Sequence, residues 1–310
     1  MGWQWIRKKR RQALWLTVFV VICITGLFYW LAGIARQDTD HFVVIRKKLQ
    51  VKNLPPEFEG YRILHITDIH GKQFGSHQSE IITTLSRESI DIVCLTGDYV
   101  FKQNRQEPQG VDATADLITG LKQTHSDCPV FFILGNWDML HKNIIINELT
   151  LAGAVFPKTP RSITRGKSKI LIGPATLSIP QAKNNPIPNR QFYIGLIHYP
   201  WDSNYVKKAG NKPRIKGKYL LRQNGKNPKA FVRADLFLAG HTHGGQIRLP
   251  LMEKIVPMIY TKGEYRRGDS VLYVSGGIGT GNISLLRYRL FNPAEISILE
   301  LHRDNTKKPL

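Results

Sequence analysis

The chain has 310 residues, 42% of them hydrophobic, which is enough for one sizeable core, and it carries a formal net charge of +21. Its three cysteines, Cys23, Cys94 and Cys128, show neither CxxC nor paired spacing, which excludes a disulfide framework and a thiolate zinc site. The positive charge suits an anionic partner, but no helix-turn-helix, zinc-finger or RNA-binding fingerprint accompanies it. No nucleic acid is therefore expected, and the basic surface is read as facing solvent or anionic lipid.

Residues 1–12 form a basic flank that holds Arg7, Lys8, Lys9, Arg10 and Arg11 and no acid. Ala13 to Ala35 follow, 23 residues without charge and almost all apolar. At about 1.5 Å per residue this stretch is roughly 34 Å long, enough to span a bilayer. A transmembrane helix at 13–35, serving as a signal anchor, is predicted; the apolar region of a cleavable signal runs only about 7 to 15 residues. A twin-arginine reading of Arg10-Arg11 finds no matching run behind it. Five basic residues before the span face only Arg36 directly after it, which predicts a single-pass protein of the cell (inner) membrane with a cytoplasmic N-terminus. Counting on to Arg46, Lys47 and Lys48 reduces the bias to five against four and leaves the side of the catalytic domain open.

Residues 36–53 are read as linker and first strand, with a polar linker at Gln37–Asp40 and a strand over His41–Val51. Pro55, Pro56 and Gly60 mark a turn within Asn53–Tyr61. Residues 54–303 then read as one catalytic domain, with a tail at 304–310. Within it five apolar, β-branched runs each stop on a residue able to bind metal. RILHIT leads to Asp68 and His70, DIVCLT to Asp98, VFFIL to Asn136, FYIGLI to His198, and LFLA to His241 and His243. Between them, apolar residues at spacings of three and four predict helices over Gln78–Glu88, Val111–Gln123 and Asn143–Leu151. Strand, site loop, helix and strand is the rhythm of a layered α/β fold, in which ligands gather beyond the carboxyl ends of strands.

Two stretches read as connections. Pro157–Pro188 is rich in Pro, Asn, Gly and Lys around one strand-like run, Lys169–Ile179. Lys207–Arg233 holds ten Lys or Arg and no acid, and is read as a solvated loop, with contact to lipid headgroups or substrate phosphate as the alternative.

Asp68 and His70, two residues apart beyond a strand, reach one cation together. Asp98 has two carboxylate oxygens and bridges two. Asn136, His198 and His241 supply oxygen and nitrogen donors to the second ion, and His243 returns to the first. Carboxylate, imidazole and amide together suit Mn, with Fe or Zn as alternatives, better than Ca or Mg. Two such ions about 3.5 to 4 Å apart clamp a phosphoryl group and activate water. Gly97, Gly135, Gly240, Gly244 and Gly245 permit tight turns beside the ligands.

In this order, DIH, GD, GNWD, IHYP and GHTHGGQ resemble the five motifs of the calcineurin-like metallophosphoesterase superfamily, D-x-H, G-D, G-N-H-[DE], a lone His and G-H-x-H. GHTHGGQIRLP, LPPEFEGYRILHITDIH and SGGIGTGN followed by LRYRLFNPAEISILEL are similar to its membrane-associated YaeI/YkuE-like branch, over Leu54 to Leu301. The resemblance implies a four-layer αββα sandwich with the dinuclear site at strand ends. It implies one ion on Asp68, His70, Asp98 and His243 and the other on Asp98, Asn136, His198 and His241, with Asp98, Asn136 and His241 as catalytic residues. Relatives in this branch include UDP-2,3-diacylglucosamine pyrophosphatases of lipid A synthesis. The expected partners are accordingly a membrane lipid surface and a phosphate-containing small-molecule or lipid substrate.

Trp137 departs from the pattern, standing where the family has a His that assists the leaving group. Indole donates one hydrogen bond but shuttles no proton, and losing general acid help costs about 10² to 10⁴ in rate. His141 and His65 are the candidate substitutes, each weighed against an ordinary structural role. Two functions follow: a metal-dependent phosphohydrolase of a phosphodiester or pyrophosphate, or a catalytically weak metal-containing module that binds phosphate-bearing lipid or a partner. The glycine-rich run Ser275–Asn282 lacks dinucleotide-loop spacing and is read as packing near the site.

Overall fold

A computed structural model describes residues 2–103, 107–178, 191–200, 220–221, 229–231, 233–249, 260–281 and 287–304. It opens with the 39-residue helix α1 (Gly2–Asp40), long and apolar enough to cross a membrane. Its large side chains, among them Leu14, Phe19, Ile22 and Phe28, stand exposed rather than packed in a core. The linker expected at Gln37–Asp40 is instead the last turn of this helix. Thr39 Oγ1 donates to the Ala35 carbonyl at 2.6 Å, while the catalytic domain holds Asp38 and Thr39 from outside, which offsets their weak helix propensity.

The two main sheets contain β1 (Phe42–Val51), β2 (Tyr61–Ile66), β3 (Ile92–Leu95), β4 (Val130–Phe132), β5 (Arg161–Arg165), β6 (Ser168–Pro174), β7 (Tyr193–Leu196), β8 (Leu236–Ala239), β9 (Gly263–Arg267), β10 (Ser270–Val274) and β11 (Ala294–Arg303). The first sheet runs β1-β11-β2-β3-β4 and the second β9-β10-β8-β7-β6-β5. Both are mixed. β2, β3 and β4 are mutually parallel, as are β6, β7, β8 and β10, whereas β11 runs against β2 and the two outer strands β5 and β9 run against their neighbours.

Strand alternation assigns each side chain to a layer. Ile63, Ile92, Cys94 and Phe131 point inward and meet Ile194, Leu196, Leu236, Leu238 and Tyr273 of the second sheet. Their neighbours Leu64, Ile66, Val93, Leu95 and Phe132 point the other way, onto α2 (Ser79–Leu85), α3 (Val111–Thr124) and α4 (Lys142–Leu151). Burial on both faces explains why these strands read as unbroken apolar runs. Tyr193, Phe237, Leu272 and Val274 cover the outer face of the second sheet. No helix lies on that face among the described residues, so the expected fourth layer is not part of them.

Three sequence expectations shift. α2 begins at Ser79 because Gln78, at φ 60°, is a pin rather than a helical residue: its amide donates to the carbonyls of Lys72 and Ala113 and accepts from Phe74 N–H. The connection at 157–188 contains an antiparallel hairpin, β5 with β6, turning at Gly166 (φ 58°). β5 escaped notice because its sequence, RSITR, is mostly exposed and shows no apolar alternation. Residues 179–190 lie outside the described residues, as does most of the basic stretch 207–233. Its described parts, Leu220–Leu221 and Lys229–Phe231, pair with Thr176–Ser178 in a small antiparallel sheet.

Candidate metal centre

The parallel strands discharge their loops at one edge, and the proposed ligands meet there. Asp68, His70 and His243 form one group with ligand atoms all within 4.8 Å of one another, and Asp98, His198 and His241 form a second on the same criterion. Asp98 joins them: its Oδ2 lies 3.7 Å from His70 Nε2 and 3.2 Å from His198 Nε2. Asn136 Oδ1 stands 3.0 Å from His198 Nε2, on the second group. All seven residues singled out from sequence therefore converge, with Asp98 lying between the two groups.

Hydrogen bonds away from the centre aim the imidazoles. His70 Nδ1–H donates to the Val100 carbonyl at 2.9 Å and His198 Nδ1–H to the Thr96 carbonyl at 2.9 Å, which points each Nε2 at the centre. His70 Nε2 then faces His243 Nε2 at 3.3 Å, and His198 Nε2 faces an amide oxygen, a carboxylate oxygen and His241 Nδ1 at 3.2 Å. Imidazole nitrogens, an amide oxygen and a carboxylate oxygen gathered this closely are a donor set that fits a cation between them.

Charge supports the same fit. Burial, with the Asp98 charge, pushes the Asp68 carboxyl up to about 7 against the pull of His198. Burial also opposes ionisation of Asp98, but His198, His70 and the Trp137 N–H outweigh it and hold that carboxyl at about 2. His198, which burial alone would depress, is raised to about 9 by Asp98 and Asp68. The two carboxylates thus draw positive charge to this point, which divalent cations supply.

The backbone that presents these ligands is strained. Asp68 (φ 51°), His70 (φ 47°), Asp98 (φ 60°), His241 (φ 72°) and His243 (φ 50°) all occupy the left-handed region, where non-glycine residues are uncommon and which clusters at functional sites. Gly135 is required by close approach, since a Cβ there would collide with the Asp98 carboxylate.

Three functional supports were missed in the sequence. Asp138, the last residue of GNWD and fully buried, accepts N–H bonds from Asp98 (2.8 Å) and Gly135 (2.8 Å) on one oxygen and from Tyr99 (2.9 Å) on the other. Its place in the motif was the available signal. Arg289, also fully buried, donates to the carbonyls of Gly276 (2.7 Å) and Gly279 (2.6 and 3.0 Å), and Asn292 Nδ2 donates to the His243 carbonyl at 2.7 Å. Only an arginine amid apolar residues in LRYRLFNP hinted at it. The run Ser275–Asn282 packs as expected through its described residues, Gly279 N–H bonding the Asp68 carbonyl at 2.7 Å.

The two candidate proton donors do not join the ligand groups. His65 is fully buried in the sandwich interior with Nε2 2.9 Å from Thr96 Oγ1, because strand alternation turns it away from the loops. His141 is buried in the 3-10 turn Asp138–His141. Trp137 itself sits beside the centre, its ring edge-on to His70 at 5.8 Å between centroids and its backbone N–H donating to Asp98 Oδ1 at 2.9 Å.

Among curated proteins, the chain is 24% identical over 289 residues to the uncharacterized metallophosphoesterase YkuE of Bacillus subtilis, covering 88% of this chain and 90% of that one. It is 28% identical over 256 residues to phosphodiesterase YaeI of Escherichia coli, covering 78% and 82%. YkoQ of Bacillus subtilis, another uncharacterized metallophosphoesterase, is 22% identical over 268 residues, covering 81% and 88%. The calcineurin-like phosphoesterase family model matches residues 61–245, from the start of β2 through the last ligand loop. With more than half of the chain matched and the ligand loops within the matched range, this protein belongs to the calcineurin-like phosphoesterase family.

Proposed function

We propose that the protein is a membrane-anchored phosphohydrolase that cleaves a phosphodiester or pyrophosphate bond in a substrate held at the membrane surface. The observation that carries this reading is the Asp98 carboxylate shared between two ligand groups. Asp68, His70, Asp98 and His243 would hold one divalent cation and Asp98, Asn136, His198 and His241 the other, manganese being the first choice on donor chemistry, with iron or zinc next. When bound, such a pair supplies Lewis acidity toward a phosphoryl group and toward water.

The chain's own residues then account for the rest. Thr96 and Val100 carbonyls orient the imidazoles, Asp138 fixes the loops of Asp98 and Gly135, and Asn136 and His241 stand on the same side of Asp98 as His198. The indole that Trp137 places at this position shuttles no proton to the leaving group. Substrates with stable leaving groups, such as a nucleotide phosphate in a pyrophosphate, suffer least. The exposed apolar helix and the +21 charge suit an acylated, anionic substrate. UDP-2,3-diacylglucosamine is the specific candidate if the domain faces the cytoplasm; if it is exported, a cell-envelope phosphodiester takes its place.

Trp137 beside His70 is the observation favouring the second reading, a metal-holding module with little turnover. Hydrolysis of bis-p-nitrophenyl phosphate with added Mn²⁺, compared between the full chain and Asp98→Ala, separates the two. Turnover lost in the variant supports the enzyme; the same background signal from both abandons it.

A further inference from the structure

Beside the exit of α1 lies a strip whose polarity is inverted. Tyr288 is 52% exposed while the next residue, Arg289, is fully buried. Segment 246–249 runs alongside: Ile247 pairs with Leu290, Arg248 N–H donates to the Leu290 carbonyl at 2.9 Å and Leu290 N–H to the Gln246 carbonyl at 3.1 Å. In this segment Gln246 is buried, whereas Ile247 and Leu249 are 43% and 38% exposed. Single exposed apolar residues are ordinary on a soluble surface. Here two adjacent extended segments turn Tyr, Ile and Leu outward and Arg and Gln inward.

The position of the strip identifies its neighbour. Arg289 N–H donates to Thr39 Oγ1 at 2.8 Å, Asn292 N–H donates to Asp38 Oδ2 at 2.9 Å, and the ring of Phe291 lies 6.0 Å from that of Trp30. Helix α1 is continuous through all three contacts. Thr39 stands about 6 Å beyond Ala35, the end of the apolar span, and Trp30 about 7 Å inside it. The headgroup layer on each side of a bilayer is itself about 5 to 7 Å thick. Segment 288–292 therefore extends along the helix through headgroup depth, and Arg287, exposed beside Tyr288, adds the basic residue common at such interfaces.

We infer that the strip formed by Ile247, Leu249 and Tyr288 is a second membrane contact, seated in the interfacial layer of the bilayer next to the anchor. The inference rests on the anchor reading above. Because Arg289 and Asn292 of the same segment also hold the backbone of Gly276, Gly279 and His243, the metal centre lies one side chain behind this contact.

The test is electron paramagnetic resonance of the full chain in phosphatidylcholine–phosphatidylglycerol vesicles, with single spin labels at Phe19→Cys, Ile247→Cys, Tyr288→Cys and Lys167→Cys. Cys23 is replaced by Ser; Cys94 and Cys128 are buried and remain. Lys167, in the β5–β6 turn near Glu57, marks the far end of the domain, beyond the roughly 30 Å length of β1. Labels at 247 and 288 should collide more with oxygen than with a water-soluble nickel chelate, as the label at 19 does, and the label at 167 should show the reverse. Labels at 247 and 288 that read like 167 while 19 lies in the bilayer overturn the second contact and leave the anchor standing. A label at 19 that reads as water removes the anchor and this inference with it. Positions 247 and 288 report independently, so misfolding of either variant leaves the other to decide.

Discussion

Asp138 touches neither ligand group's donor atoms, yet Asp138→Asn should damage the site severely. One carboxylate oxygen accepts from Asp98 and Gly135 N–H, both at 2.8 Å, and the other from Tyr99 N–H at 2.9 Å and Val100 N–H at 3.4 Å. An amide nitrogen in either place turns a donor toward donors, and orphans either one good contact and a long one or two good contacts. Each buried N–H left without an acceptor costs about 1 to 3 kcal/mol, so the expected loss is about 1 to 6 kcal/mol, a large part of the roughly 5 to 15 kcal/mol that holds a domain folded. Urea unfolding of the detergent-solubilised chain in EDTA isolates this cost from metal binding, and elemental analysis after reconstitution with Mn²⁺ reports the geometry of Asp98. The midpoint should fall and the metal content should drop below that of the parent. An unfolding free energy within about 0.5 kcal/mol of the parent, the range of an ordinary surface substitution, would refute the reasoning.

Two further outcomes follow from the same geometry. Trp137→His restores a group able to donate a proton beside His70, and turnover on substrates with poor leaving groups should be kept or raised, by up to about 10²-fold. A collapse of turnover with metal content intact would show that the indole takes part in the reaction. Arg289→Met removes the donors to Gly276 and Gly279 and leaves buried carbonyls unpaired, which should cost about 3 kcal/mol or more in unfolding. Unchanged stability with the Gly279 loop still packed on Asp68, read by amide hydrogen exchange, would count against it.

The ligand set was legible because each donor follows a strand buried on both faces, so an apolar run ends abruptly on Asp, Asn or His. A carboxylate with two oxygens can bridge two ions, and the family resemblance is what named Asp98 as the shared one. The supports were harder to read. Thr39 and Arg289 are 250 positions apart, and nothing local to either marks the bond between them. β5 was invisible because an exposed antiparallel edge strand needs no apolar face, and the helical turn at Gln37–Asp40 was misread because tertiary bonds, not propensity, hold it. His65 has the structural role weighed for it against chemistry, since the pleat of β2 turns it into the sandwich.

The left-handed conformations of the ligands were also invisible, and they bear on when the site forms. A strained residue persists only where its surroundings over-determine it. Here the loops after β2 and β3 are joined backbone to backbone: Asp68 N–H donates to the Gly97 carbonyl at 2.9 Å, His70 N–H to Asp98 at 3.0 Å and Gly71 N–H to Tyr99 at 2.9 Å. His241 N–H donates to both oxygens of Asp68, and Asn292 holds the His243 carbonyl. Every strained ligand, or its immediate neighbour, is thus fixed by a bond that involves no cation. The strain belongs to the fold, so the donors are already gathered when a metal arrives, and binding selects a cation that fits the gap rather than ordering the loops around it.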